Sequence, residues 1–379
     1  KGGFKYPGYN PLEVPNEPTS VAVSTGEASL GVSFTAPVNS GGGTITGYQA
    51  TTTTGASTTG SASPLTLTGL TNGTTYNVRV WALNSFGPGP YGTGSGSPAA
   101  ARGLFFGGQG PTGDTDLNVI DYILLASTGN ATDFGNIGDT AGFTAAFGNA
   151  SRSVVGAMRY GGATSNVIQY VTPTSTGNAS DFGDLTVARF YGTGASNSTR
   201  GLFAGGSETN IIDYVTIAST GNATDFGDLT IARSELGGAT SPTRAVFAGG
   251  NNNNVIDYVT IASTGNATDF GDLLSITAGI AACSSSTRAL YANVNSKINY
   301  ITIASTGNAI DFGGLSVGGG VTSQAAASSE TRGIFAGGKT YTNRIQYVTI
   351  ATLSDSTDFG DLTVARDRLS GTSTAHGGL

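Results

Sequence analysis

The sequence predicts an all-β protein in which a β-sandwich precedes a six-bladed β-propeller that is closed by the C-terminal strand. Two observations carry this prediction. Short runs that alternate apolar and polar residues, separated by Gly and Asn clusters, extend along the chain. The stretch STGNATDFG at 127–135 returns with little change through the rest of the chain, and a period of 40–50 residues built from short strands is typical of propellers.

The composition excludes several classes of function. The chain has 379 residues with 38% hydrophobic and 11% charged residues, enough apolar material for folded cores. Its net charge of −7 argues against a protein that follows nucleic-acid phosphates. One Cys, Cys283, excludes an intrachain disulfide framework and a Cys-rich zinc site, and one His, His376, is expected to be structural. We expect no cofactor and no metal. We also expect no membrane insertion, because no apolar run reaches about 18 residues.

The first hundred residues lack the repeat. Residues 1–14, KGGFKYPGYNPLEV, are an aromatic, Pro/Gly-rich arm that is either a disordered leader or a segment that docks on a larger assembly. Residues 15–98 contain strand-like runs such as LGVSFTA and TYNVRVWAL, as in a β-sandwich.

This segment resembles fibronectin type III domains. The resemblance rests on PNEPTSVAV, GGGTITGYQA and GLTNGTTYNVRVWALNSFGPG. It implies that Phe34 replaces the usual core Trp and that Tyr76, six residues after Leu70, is the tyrosine corner. It also implies a spacer or adhesion module without catalytic residues.

Residues 99–379 are periodic. A Tyr stands eleven residues before the Asp of every DFG or its equivalent. The six pairs are Tyr122/Asp133, Tyr170/Asp181, Tyr214/Asp225, Tyr258/Asp269, Tyr300/Asp311 and Tyr347/Asp358. This constant offset predicts six equivalent blades.

One unit, 231–274, predicts four strands: RSELGGATS near a central channel, TRAVFAGG, NVIDYVTIA and an outer TDFGDL entered through the STGN turn. The Gly-Gly pair and the strand-3 Tyr resemble kelch repeats, with the DFG Phe in place of the usual Trp. The first unit lacks its inner strand, and we expect residues 367–379 to supply it.

The DFG and Arg repeats have functional and structural interpretations. DFG lacks the other kinase motifs, and it lacks the Ser and Trp of a sialidase Asp box. Its Asp is expected to accept hydrogen bonds in a turn or to pair with Arg, with calcium binding as an alternative. An Arg opens strand 2 of five units: Arg102, Arg200, Arg244, Arg288 and Arg332, while Arg152 departs because its Gly pair comes later. We expect these Arg residues to cap carbonyls or form ion pairs between blades, with Asp184, Asp228, Asp272 and Asp361 as available partners. The alternative is an Arg ring that binds an anion.

The loop between strands 2 and 3 varies most between units, so it is the predicted binding surface. Its Asn, Thr and Tyr side chains suit sugar hydroxyls or a protein surface, with Tyr341 as an aromatic platform. Functionless solvated loops are the alternative. The candidate binding residues are Asp114, Asp116, Glu208, Asn251, Asn252, Asn253, Asn254, Lys297, Lys339, Tyr341 and Arg344.

The repeats also resemble virion structural proteins of marine tailed phages, particularly those of cyanobacteria. STGNATDFGDLT, TRGLFAGG, NVIDYVTIAS and TAHGGL carry this resemblance. It implies a fibre, appendage or decoration protein on the virion surface. The expected partners are other virion proteins, further copies of this chain and a host surface glycan or protein, with no enzymatic activity.

Two other classes of protein stay open. A secreted glycan-binding or glycan-cleaving propeller would need, for cleavage, carboxylates about 5–9 Å apart, and Asp114, Asp116 and Glu208 are the candidates. An adhesion ectodomain would be glycosylated at the repeated N-x-[ST] sites. The lack of disulfides weakens that possibility, as does the expectation that these hairpins are buried.

Overall fold

A computed structural model of the chain describes residues 13–112, 115–251, 253–292, 295–316 and 323–379. Nearly all of the predicted arm 1–14 lies outside these ranges. The described part is built from β-strands and has no helix, so it has none that is long and apolar enough to cross a membrane. The chain divides into two compact units with the boundary between Ala100 and Ala101.

The first unit is a sandwich of two antiparallel sheets. Its strands are β1 (Thr19–Gly26), β2 (Ser29–Thr35), β3 (Gly47–Thr52), β4 (Ser57–Gly60), β5 (Leu65–Thr68), β6 (Tyr76–Asn84) and β7 (Gly87–Gly96). One sheet has the order β1-β2-β5 and the other β4-β3-β6-β7. Alternate residues of β6 are buried because one face of this strand packs on the opposite sheet.

The core of the sandwich contains the residues that the sequence singled out. Phe34 is buried and its ring lies 4.8 Å from that of Tyr48. Tyr76 is also buried, and its hydroxyl accepts a hydrogen bond from the Thr71 N–H at 3.0 Å. This bond joins the start of β6 to the loop before it, as expected of a tyrosine corner.

The second unit contains six antiparallel sheets, here sheets I to VI. Its strands, in chain order, are β8 (Arg102–Phe106), β9 (Leu117–Leu124), β10 (Thr132–Gly142), β11 (Ala145–Gly148), β12 (Ser153–Gly156), β13 (Arg159–Tyr160), β14 (Ala163–Thr164), β15 (Val167–Val171), β16 (Ser180–Asp184), β17 (Thr193–Ser196), β18 (Arg200–Ala204), β19 (Ile211–Thr216), β20 (Thr224–Asp228), β21 (Gly237–Thr240), β22 (Arg244–Ala248), β23 (Asn253–Thr260), β24 (Thr268–Thr277), β25 (Ala281–Ser284), β26 (Arg288–Ala292), β27 (Lys297–Thr302), β28 (Ile310–Gly314), β29 (Ala325–Ser328), β30 (Arg332–Ala336), β31 (Arg344–Thr349), β32 (Thr357–Asp361) and β33 (Ser370–Ser373).

Sheets II to VI are meanders of four strands, and sheet I has six strands, of which one comes from the far end of the chain. Sheets II to VI have the orders β11-β12-β15-β16, β17-β18-β19-β20, β21-β22-β23-β24, β25-β26-β27-β28 and β29-β30-β31-β32. Sheet I has the order β14-β13-β10-β9-β8-β33, so the C-terminal strand β33 pairs with β8. The predicted inner strand at 233–241 is shorter than expected, because β21 begins at Gly237 and the residues before it form a linker.

Six hydrophobic clusters fill the spaces between successive sheets. The cluster between sheets III and IV, for example, contains Leu202 and Phe226 from one sheet and Phe247 and Ile261 from the next. The remaining clusters join the other successive pairs, and one of them joins sheet VI to sheet I. A fully buried Phe or Leu side chain stabilises the fold by about 1.5–3 kcal/mol, so these interfaces hold the sheets together.

The STGN turn of each sheet is hydrogen-bonded to the preceding sheet. In sheet III the N–H of Gly221 donates to Phe182 O of sheet II at 2.7 Å, and Asn222 Oδ1 accepts from the Asp184 N–H at 3.1 Å. The Gly183 φ is +145°, and a Cβ there would collide with the carbonyl oxygen of Gly221. The stretch STGNATDFG therefore repeats because its turn contacts the DFG glycine of the neighbouring sheet. In the four STGN turns that carry an N-A-[ST] site, the Asn residues (Asn130, Asn178, Asn222 and Asn266) are exposed, so the expectation that these hairpins are buried was wrong.

The Arg that opens strand 2 stacks on the strand-3 Tyr, and the DFG Phe packs edge-on against that Tyr. In sheet IV the Arg244 guanidinium lies 4.7 Å from the Tyr258 ring centroid, which is 5.9 Å from the Phe270 centroid. All six Arg residues also donate to a carbonyl of the next sheet, and Arg332 of sheet VI donates to Leu125 O of sheet I at 3.0 Å. The expected carbonyl caps are therefore present.

Two expectations about these motifs were wrong, and of the two alternatives for the DFG Asp the pairing with Arg is not seen in the described structure. Arg152 does not depart from the pattern, since it stacks on Tyr170 and donates to Ile217 O at 2.9 Å. Its Gly pair comes later only because β13 and β14 are inserted after β12. Asp184, Asp228, Asp272 and Asp361 are not ion-pair partners of these Arg residues in the described structure. The DFG carboxylates are exposed, without an ion pair to any described residue.

A different set of charges is buried between sheets. Three ion pairs with fully buried side chains join successive sheets: Arg189–Asp213 at 2.8 Å, Arg233–Asp257 at 2.8 Å and Arg366–Asp121 at 3.0 Å. The other three sheets have Gln169, Asn299 and Gln346 at the register position of the Asp. A neutral amide stands wherever the Arg is missing, because an unpaired buried carboxylate is strongly destabilising.

Candidate functional site

One edge strand of each of the six sheets, here called its first strand, lines one shared space, here called the channel. Its walls are mainly Gly, Ala, Ser and Thr contributed by β11, β17, β21, β25, β29 and β33. Serine hydroxyls link neighbouring strands: Ser284 Oγ donates to Thr240 O at 2.7 Å and Ser328 Oγ donates to Ser284 O at 2.9 Å. Small residues let the six backbones approach one another closely.

His376 lies at the end of the channel where the first strands finish. Its Nδ1 accepts from the Gly378 N–H at 3.1 Å, so Nε2 carries the proton and donates to Gly148 O at 2.7 Å. Burial lowers the pKa of His376, opposed by the hydrogen bond to Gly148 and by the charge of Glu330. The neutral imidazole therefore secures the C-terminal segment against sheet II.

At the other end of the channel, six linker residues form a cycle of backbone hydrogen bonds. They are the residues two positions before each first strand, here the linker ring: Phe143, Tyr191, Glu235, Gly279, Ser323 and Arg368. The N–H of each donates to the carbonyl of the one before, and the N–H of Phe143 donates to Arg368 O, with distances of 2.8–3.2 Å. The cycle places six side chains around one opening.

Five of these six positions have a strained backbone. All six φ angles lie between +54° and +64°, and only Gly279 is a glycine. A non-glycine residue in this left-handed conformation costs about 1–3 kcal/mol. Side chains kept at strained positions, in a chain that places Gly at most of its other left-handed turns, indicate that the side chains themselves are used.

The linker ring and its neighbours enclose a pocket at this end of the channel, here the mouth pocket. Its lining consists of the six linker-ring residues with Thr144, Gly192, Leu236, Ile280, Gln324 and Leu369. One wall is aromatic, because the Tyr191 ring centroid lies 4.3 Å from that of Phe143 and 5.1 Å from that of Phe190. Two guanidinium groups, of Arg159 and Arg368, lie 4.9 and 5.1 Å from the Phe143 centroid.

Charged groups stand on the remaining wall of the mouth pocket. Burial raises the pKa of Glu235, while the positive charges of Arg368 and Lys339 oppose that shift. Burial likewise raises the pKa of Tyr191, with a further increase from the Glu235 charge and opposition from Arg368. One acid and one guanidinium therefore share the pocket, and Arg368 is also anchored by a 2.5 Å hydrogen bond to Gln109 Oε1.

The predicted binding residue Asp116 has a structural role. Its carboxylate is buried and receives two hydrogen bonds of 2.8 Å from Arg159, through Nε and Nη2, and a third of 2.8 Å from Gln109 Nε2. These donors contact both oxygens, so the described partners of this carboxylate lie within the protein, and its role in binding stays a prediction. The bidentate pair holds the inserted strand β13 against the loop after β8.

Other predicted residues pack on the linkers. Asn251 is exposed, and its Oδ1 accepts from the Ser234 N–H at 2.9 Å. Glu208 is exposed, with its N–H donating to Ser234 Oγ at 2.8 Å. Asn253 Oδ1 accepts from the Val255 N–H at 2.7 Å. The predicted loops thus lie on the same face as the mouth pocket.

The remaining candidates lie at or near strand ends on this face. Asn254 is partly buried on β23, and Lys297 and Lys339 are exposed. Tyr341 is partly buried with a φ of +53°, and the N–H of Arg344 donates to Thr342 Oγ1 at 3.2 Å. None of these side chains lines the mouth pocket, and Asp114 and Asn252 lie outside the described residues.

Sequence reasoning missed the linker ring because it assigned those positions to the inner strand. A signal was present: aligned by their distance from the first strand, the six positions hold six chemically different residues. Within the described ranges, no group of three or more His, Cys, Asp or Glu side chains is placed to hold a metal ion.

The fold and the comparisons define an all-β protein with an N-terminal β-sandwich domain. Residues 16–95 match the fibronectin type III domain family, so this segment is a fibronectin type III domain. Comparison with curated proteins found no match to the chain.

Proposed function

We propose that residues 101–379 form a six-bladed, kelch-like β-propeller with sheets I to VI as its blades. Several independent contacts support this proposal, because each recurs between successive sheets and includes a link from sheet VI to sheet I. Those links are the Arg332 bond to Leu125 O, the Arg366–Asp121 ion pair and the Gly129 bond to Phe359 O. The DFG Phe, edge-on against the strand-3 Tyr, fills the place of the outer-strand Trp of kelch repeats.

We further propose that the protein is a structural and adhesion protein on the surface of a phage particle, which contacts its target through the face that carries the mouth pocket. The observation that carries the binding role is the linker ring. A repeated scaffold presents six different side chains around one opening, five of them on strained backbone. Binding sites commonly combine a rigid scaffold with variable connections. The resemblance of the repeats to virion proteins supports the location, and the fibronectin type III domain suits a spacer.

Binding is favoured over glycan cleavage because the two predicted acids that the structure describes, Asp116 and Glu208, are not paired in a catalytic arrangement. Asp116 is neutralised by Arg159, and Glu208 lies exposed outside the mouth pocket. Hydrolysis of a glycoside needs two carboxyl groups facing one substrate bond.

Antibodies raised against the full chain test the virion assignment. We expect them to label purified phage particles in immunogold electron microscopy, while pre-immune serum does not. Absence of label from particles whose genome encodes the chain would refute the assignment. The adhesion role is tested separately by adding the full chain to host cells, where saturable binding and reduced phage adsorption are expected.

A further inference from the structure

The mouth pocket combines one acid, one guanidinium and an aromatic wall. Glu235 and Arg368 both line it, and Arg368 also lies 3.5 Å from the Asp367 carboxylate, so charges of both signs face a ligand. A phosphate or polyanion would meet the Glu235 carboxylate, and an organic cation would meet Arg368. This combination favours a neutral ligand that both accepts and donates hydrogen bonds.

Gln324 supplies an unused acceptor. Its side chain is 6% exposed and lines the mouth pocket, and its Nε2 donates to Gly337 O at 3.1 Å. Its Oε1 is buried without a hydrogen-bond partner. A buried acceptor left unsatisfied is unfavourable, so a ligand hydroxyl that donates to this oxygen would remove a penalty as well as form a bond.

The aromatic wall offers an apolar surface on which a ligand ring can pack. Phe143, Phe190 and Tyr191 form a compact group with centroids 4.3–5.6 Å apart. The cavity volume is about 60 Å³, and one water needs about 10–15 Å³ by the same measure. The pocket therefore accepts a few water-sized groups, which suits one edge of a single ring rather than a longer chain segment.

We propose that the mouth pocket binds one neutral pyranose residue of a saccharide. The apolar face of the sugar packs on Tyr191, and its hydroxyls accept from Arg368 and donate to Glu235 and Gln324 Oε1. A pyranose has this combination of one apolar face and a rim of hydroxyls that both donate and accept. The inference rests on the proposed binding role of this face but not on the virion assignment.

A panel of neutral methyl pyranosides, titrated into the full chain and followed by saturation-transfer NMR and calorimetry, tests the proposal. We expect at least one to bind saturably with a Kd of roughly 1 mM. Tyr191→Asn keeps a residue that tolerates the left-handed backbone, and Glu235→Gln keeps the size of the side chain. Each should weaken binding at least tenfold, roughly.

Glu208→Gln is the matched control, because Glu208 is an exposed acid on the same face outside the mouth pocket. Its affinity should equal that of the wild type. Thermal melts verify folding, and if Tyr191→Asn does not fold, Glu235→Gln decides. No binding by any pyranoside, or equal binding by wild type and Glu235→Gln, overturns the proposal. Particles labelled by the antibodies without sugar binding would refute only this inference and leave the virion assignment in place.

Discussion

The buried pair Arg233–Asp257 allows one interaction to be isolated from the rest of the fold. The Nη2–Oδ2 distance is 2.8 Å, and both side chains are fully buried. Asp257→Asn keeps the shape and one acceptor but leaves the Arg233 charge without its counter-ion. Burial already lowers the pKa of Arg233, and the Asp257 charge opposes that shift. Loss of one partner of a buried pair destabilises by about 3–5 kcal/mol.

The chain itself contains the neutral form of this contact. In sheet V the position equivalent to Asp257 is Asn299, whose Oδ1 accepts from the Leu274 N–H at 3.3 Å, and the position equivalent to Arg233 is Thr277. The double variant Arg233→Thr/Asp257→Asn copies this arrangement. It should recover most of the lost stability, because no charge is then buried.

Calorimetry of the full chain near neutral pH measures the effect on the transition of the second unit. Asp257→Asn should lower its Tm by roughly 6–20 °C, at about 2–4 °C per kcal/mol. The double variant should melt well above Asp257→Asn, which corresponds to a coupling energy of about 2 kcal/mol or more. A loss below about 1 kcal/mol for Asp257→Asn, or a double variant as unstable as the sum of the two single variants, would refute this reasoning.

Four further predictions concern the closure of the ring, the C-terminal histidine, the Arg stacks and the linker ring. Deleting residues 367–379 removes β33 from β8 and should lower the Tm by roughly 10 °C or more, measured by circular dichroism, whereas unchanged melting would contradict the six-bladed proposal. Burial lowers the pKa of His376, so its stabilising contribution is present above its unfolded pKa of about 6.5 and is lost as the pH falls below that value. The wild-type Tm should therefore fall more between about pH 7 and pH 5 than that of His376→Gln, and parallel curves would refute a lowered pKa for His376 in the folded protein. Arg244→Lys loses the planar stack on Tyr258 and weakens two 3.0 Å carbonyl bonds, which should cost about 1–2 kcal/mol in urea unfolding. Glu235→Gly relieves a left-handed φ of +60° and removes a partly buried acid, so it should stabilise the fold by about 1 kcal/mol while abolishing sugar binding, and a destabilised variant would show that the side chain has a structural role.

The period and its constant Tyr offset were sufficient to predict the repeating sheets, because sequences that build the same local contacts must repeat the residues that make them. The Arg–Tyr–Phe stack is such a contact: Arg200, Tyr214 and Phe226 lie within one sheet at short sequence separation. Alternation in β6 and the position of Tyr76 likewise identified the sandwich, since strand burial has a period of two.

The candidate site was predicted only in part. The variable loops lie on the same face as the mouth pocket. Asp116, however, is buried, because Arg159 of the inserted strand β13 donates hydrogen bonds to its carboxylate. The spacing between Asp116 and Arg159 is 43 residues, and nothing in the local sequence relates the two.

The sequence by itself determined the strand pattern, the sandwich and the six units, because these depend on contacts between residues close in the chain or on a repeated spacing. Only the tertiary structure decided which charges are buried, since Asp121 and Arg366 are 245 residues apart and meet between the first and last sheets. It also decided the site. The linker-ring residues are separated by 44–48 residues along the chain, and a cycle of six backbone hydrogen bonds brings their side chains around one opening.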